Sequence, residues 1–159
     1  MLGRGAASAV ALISANAVVA EPKAEVLHWW TSGGEAKSVA VLQQEFADNG
    51  GSWTDMPVAG GGGDAAMSAL RARVLAGNAP TAVQLKGPAI QEWYQEGVLA
   101  DISSVAEAEG WSDVLPASIA GHMMCEGTWC AAPVNVHRVD WIWANAGVLE
   151  TNGIAMPTT

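Results

Sequence analysis

Residues able to do chemistry are few in this sequence, and most of the usual groupings are missing. Glu35 and Asp64 would serve as a glycosidase pair if they faced each other across a cleft. Each also has an ordinary place at a helix start. His28, His122 and His137 share no metal-ligand spacing. There is no Gly-x-Ser-x-Gly elbow and no Cys–His arrangement for nucleophilic catalysis. The glycine run Gly60–Gly63 lacks the Lys-Ser/Thr that would hold phosphates and magnesium, and it lacks the spacing of a dinucleotide loop. A catalytic set, a metal and a cofactor are therefore not expected. What remains is Trp29 and Trp30 as flat apolar faces, with Glu35, Gln84, Asn135 and His137 as planar donors and acceptors. That inventory suits the ring faces and hydroxyls of a neutral sugar. It favours binding without chemistry; the alternative is a secreted carbohydrate-active enzyme using Glu35 and Asp64.

The elements that must position these residues follow from periodicity. Residues 25–31 (EVLHWWT) read as a strand leading into a loop. Adjacent strand residues point to opposite faces, so one of Trp29 and Trp30 is expected in the core and the other toward a cleft. Ser32, with Glu35 three residues on, has capping-box spacing, and Val39, Leu42 and Phe46 recur at helical intervals. Asn49-Gly50-Gly51 stops that helix. Residues 52–58 form a second strand, and Asp64 caps a helix with Met67, Leu70, Val74 and Leu75 as its apolar stripe. Residues 81–85 form a third strand. Gly87-Pro88 opens a third helix, with Ile90, Trp93 and Tyr94 facing inward. Strand–helix alternation with short connections predicts a parallel α/β sheet. The loops after its strands then gather Trp29, Trp30, Glu35, the glycine run, Gln84 and Lys86 at the carboxyl end, where open α/β folds bind ligands. Further along, residues 99–102 are expected extended, 111–120 helical despite Pro116, and 134–145 alternating, with Val139, Trp141 and Trp143 on one face. Another helix begins near Ala146.

Composition bounds the function. The 159 residues carry a net charge of −9, with scattered Lys and Arg, which excludes a nucleic-acid groove and disfavours anionic lipid. Eight Trp stand against one Tyr and one Phe, a bias that packing explains for most of them and a sugar-binding surface for some. Residues 1–20 have a basic Arg4, an apolar middle and small residues up to Ala20, the pattern of a secretory signal peptide cleaved near Ala20. Cys125 and Cys130 flank a hairpin-like Glu126-Gly127-Thr128-Trp129, and in an oxidising compartment they are disulfide candidates.

Three stretches carry a family resemblance: HWWTSGGE (28–35), VAGGGGDAAMSALRARVLAGNAP (58–80) and GTWCAAPVNVHRVDWIWAN (127–145). They resemble the family 1 extracellular solute-binding proteins, and more closely the glucose- and mannose-type receptors of carbohydrate ABC importers. The resemblance implies a periplasmic-binding-protein-like type II fold: a two-lobed α/β receptor of which this chain would hold lobe one, truncated. It implies a lobe-one portion at 21–133, a hinge crossing at 134–145 and the start of a second lobe at 146–159. It also implies a periplasmic monomer that binds a monosaccharide near Trp29 or Trp30, Glu35, Gln84 and His137 and delivers it to membrane permease subunits.

Overall fold

The computed structural model describes residues 21–135 and 142–157. The chain divides after Leu85 into two compact units.

The first unit is built on a three-stranded parallel sheet in the order β2-β1-β3. Strand β1 is Lys23–His28, β2 is Ser52–Pro57 and β3 is the short Ala82–Val83. The pairing runs Lys23↔Ser52 through His28↔Pro57 on one side, and Val26↔Ala82 with Leu27↔Val83 on the other. Backbone bonds from Val58 to His28 O and from Gln84 to Leu27 O carry both ladders one step further. Leu27 and His28 are both buried although they point to opposite faces, as expected of a central strand covered on each side. Strand β1 ends at His28, so Trp29 and Trp30 lie beyond the ladder, in a turn closed by Thr31 N–H on Trp29 O.

Helix α1 is Gly33–Asp48. Ser32 sits at its N-cap with extended backbone but makes no side-chain capping bond, so the expected capping box does not form. Val39 is buried and Phe46 meets Trp53 edge-on at 6.2 Å, whereas Leu42, expected on the same stripe, is exposed. The stop is as expected: Asn49 bonds Glu45 O through its backbone and its side-chain amide, and Gly50 takes φ 78°. A 3-10 turn over Gly61–Gly63 leads into helix α2, Asp64–Leu75. Its N-cap is Gly63, and Asp64 is the first helical residue rather than the cap. Leu70 and Ala66 are buried and Met67 and Val74 half-buried, but Leu75 is 82% exposed and leaves the predicted stripe. Near the helix end, Arg73 bonds both carboxylate oxygens of Glu25 on β1, at 2.9 and 2.6 Å, while its Nε donates to Asn78 O. The Arg73 bonds hold the Glu25 carboxyl below its usual value, against a smaller opposing effect of burial.

The second unit uses short helices. They are α3 (Ala89–Gln95), α4 (Ser103–Ala108), α5 (Trp111–Val114) and α6 (Ala117–Met123), with α7 at Ala146–Thr151. The expected helix over 111–120 is split, because Pro116 lacks an amide hydrogen and opens α6 from its N-cap. Residues 99–102 pair with no strand. Strands β4 (Met124–Cys125) and β5 (Thr128–Trp129) form a hairpin whose central Glu126 and Gly127 have φ 50° and 89°, the primed turn that two-residue hairpins need. Cys125 and Cys130 are joined by a disulfide with their Cα atoms 5.8 Å apart. Trp129 is buried, meets Trp111 edge-on at 5.5 Å, donates its backbone N–H to Ser103 Oγ and accepts Ile102 N–H on its carbonyl. Ile90, Trp93 and Ala106 are buried in this unit, and Tyr94 is half-buried. Residues 142–145 have no strand pairing, and Asn145 caps α7 by accepting Val148 N–H at 3.1 Å.

Candidate functional site

The order β2-β1-β3 sends successive crossovers to opposite sides of β1, which makes the carboxyl ends of β1 and β3 the switch point at which open α/β folds take ligands. Trp29 sits at that point. Its amide donates to Gln84 Oε1 at 3.1 Å, so the residue after β3 ties down the turn after β1. The Trp29 ring lies against Gly63. A Cβ built there would stand 3.2 Å from the indole, and φ 113° is reserved for glycine in any case. The glycine run is thus required twice over at Gly63, by backbone conformation and by the close approach of an aromatic face. Gly62, with φ 57°, supplies the other sharp step before α2.

Trp29 is half-buried and Trp30 is buried, which fits the idea of unequal roles for the pair. The reason differs from the one expected, since neither residue belongs to the strand and the alternation rule does not apply to them. Trp30 closes one wall of a groove of about 400 Å³, shared with Thr31, Val39, Gln43 and Asp55. Glu35 stands in the first turn of α1, half-buried, where the helix dipole favours a carboxylate. Gln84 is half-buried, and with its oxygen engaged by Trp29 its amide nitrogen is the atom left to address a ligand. Within the first unit, then, Trp29, Trp30, Glu35 and Gln84 all belong to loops or helix starts at the carboxyl end of one sheet. Asn135 and Lys86 are exposed residues of the second unit. Asn135 borders a groove of about 480 Å³ formed with Leu115, Pro116, Ile119 and Val134. His137, like the expected leader over 1–20 and Val139 and Trp141, falls outside the described residues.

Beneath this turn lies a polar cluster that no motif or spacing in the sequence marks. His28 Nε2 is 2.9 Å from Asp55 Oδ1, and the same oxygen accepts Trp53 Nε1–H at 3.1 Å. Trp30 N–H points at His28 Nδ1, 3.2 Å away. No spacing rule pairs residues 28 and 55; the parallel register of β1 with β2 brings them together. Among the described residues no group of His, Cys, Asp and Glu could hold a metal ion. An indole face, fixed amides and a carboxylate at a helix start are groups that recognise hydroxyl-rich neutral molecules.

A family model described as "Bacterial extracellular solute-binding protein" matches residues 25–159. Among curated proteins, the chain is 52% identical over 153 residues to a "Probable sugar-binding periplasmic protein" of Rhizobium meliloti, a match covering 96% of this chain and 37% of that protein. Proteins of the same name from Brucella melitensis and Mesorhizobium japonicum are 50% and 45% identical, over 95% and 100% of this chain. The chain spans 37% to 38% of the length of these relatives.

Proposed function

We propose, from the premise that this chain belongs to the bacterial extracellular solute-binding protein family, that it is the periplasmic sugar-binding component of an ABC importer. It would bind a monosaccharide such as glucose or mannose and hand it to membrane permease subunits without chemistry. The names of the relatives support a sugar and a periplasmic setting. The observation that carries the reading is the bond between Trp29 N–H and Gln84 Oε1 at the carboxyl ends of β1 and β3. It ties the backbone of a tryptophan to a planar amide side chain where open α/β sheets take ligands, and an indole with an amide are groups suited to the C–H face and the hydroxyls of a pyranose.

In this reading Trp29 is the stacking face, Gln84 and Glu35 meet hydroxyls, and Trp30 supports the turn. Residues 21–133 contribute to a first lobe and 146–159 begin a second. The test is intrinsic tryptophan fluorescence of the full chain titrated with a hexose panel that includes D-glucose and D-mannose. Saturable quenching that Trp29→Ala and Gln84→Ala each weaken at least tenfold is the expected result. Turnover of any glycoside, abolished by Glu35→Gln or Asp64→Asn, would sink it in favour of an enzyme.

A further inference from the structure

The three amides of the turn after β1 have three separate acceptors. Trp29 N–H reaches Gln84 Oε1, Trp30 N–H reaches His28 Nδ1 and Thr31 N–H reaches Trp29 O. Two of the three acceptors are side chains, so residues 28 and 84, and not the sheet ladder, anchor the amides of the tryptophan pair. We infer that His28 is a positioning residue for this pair, acting as a relay between the Asp55 carboxylate and the Trp30 amide. The chemistry follows from what each atom can do. A backbone N–H only donates, so Nδ1 must present its lone pair, and the single ring proton resides on Nε2. Nε2–H then donates to Asp55 Oδ1 at 2.9 Å. Trp53 Nε1–H donates to the same oxygen at 3.1 Å and steadies the carboxylate from β2. His28 is 5% exposed, so water has little access to the imidazole, whereas the Asp55 side chain it bonds is 39% exposed. Asp55 is the charged group that faces the imidazole, and the α1 residues sharing the adjoining groove, Ala36, Val39 and Gln43, carry none.

The relay itself stands on the structure; only its effect on affinity rests on the sugar-binding reading. The two can therefore fail separately. The experiment begins without ligand, with long-range ¹H–¹⁵N correlation spectra of the His28 ring in the full chain. A protonated Nε2 and an unprotonated Nδ1 are expected; the opposite tautomer overturns the relay whether or not any variant folds. Next come two substitutions that each keep half of the imidazole. Asn Oδ1 takes the place of Nδ1, and Gln Nε2 takes the place of Nε2. His28→Asn should keep the Trp30 bond and the Trp29 ring contacts with Gly63 Hα, read as nuclear Overhauser effects. His28→Gln should lose them, because Trp30 N–H is left without its acceptor. With D-glucose and D-mannose as probes, His28→Gln should weaken binding about tenfold and His28→Asn no more than about threefold, the scale of one buried hydrogen bond. Equal behaviour of the two variants in the Overhauser spectra overturns the relay. If the unmodified chain binds neither hexose, the sugar reading falls, and the tautomer with the Gly63 contacts alone judges the relay.

Discussion

The two units reach order by different means. Residues 21–85 are organised by a parallel sheet whose central strand buries Leu27 completely, with a crossover helix pinned by the Arg73–Glu25 ion pair. Among the described residues from Lys86 onward the helices are of four to seven residues, too short to persist alone, and α4 and α6 pack on a two-residue hairpin closed by a disulfide. Long-range pairing gathers the candidate site residues of the first unit, since a parallel ladder aligns the loops after its strands at one end. The second unit substitutes a covalent link and two buried tryptophans for sheet, and its polar backbone groups find side chains. Gln91 Nε2 donates to Met124 O, and Ser103 Oγ accepts Trp129 N–H.

That contrast predicts distinct responses. Leu27→Ala should have the largest effect, a loss of about 3 kcal/mol from an unrelieved cavity in a fully buried site. It should lower the urea midpoint read from amides of β1 and β2 while leaving those of β4 and β5 near their original midpoint. A single shared shift would show that the units unfold as one body. Next is removal of the disulfide, by reductant or by Cys125→Ser with Cys130→Ser. For so short a loop the expected loss is about 2 kcal/mol, and hydrogen exchange of the Trp129 and Cys130 amides should rise while that of Leu27 stays slow.

Gly63→Ala should follow, at about 1 to 2 kcal/mol, by forcing a side chain into φ 113° and against the Trp29 ring. It belongs with the first unit, and melting by circular dichroism would measure it. The smallest effect is acid sensitivity, and it occurs in both units. Glu25 is held below its usual 4.5 by Arg73. Its contribution is complete above that value and disappears as pH falls through the lowered one. Asp101 is held below 3.8 by hydrogen bonds from Ser103 and follows the same sign at lower pH. Glu25→Gln should flatten the acid limb for β1 amides, and Asp101→Asn that for Trp129, each leaving the other unchanged.

Much of the architecture was legible from local patterns. The alternation of strands and helices, the stop at Asn49-Gly50, and the hairpin at Glu126-Gly127 all depend on backbone preferences within a few residues. Apolar stripes were less reliable. Leu42 and Leu75 have the right spacing and are exposed, because periodicity says which face a residue occupies and not how far the opposing surface extends. The capping box failed for a similar reason. Ser32 has the residue type and the extended backbone of a cap, yet its side chain bonds no amide of the first turn.

Of the candidate site, the sequence by itself determined its raw materials: an adjacent tryptophan pair, a glycine run before a helix, and Gln84 after a short strand. Only the tertiary structure decided how they are used. It ended β1 at His28, set Trp29 against Gly63 and Gln84, buried Trp30, and joined His28 to Asp55 across the sheet. The physical reason is the range of the interactions. Turns and caps are local, whereas the register of parallel strands is fixed by packing between segments about thirty to sixty residues apart, which no local spacing encodes.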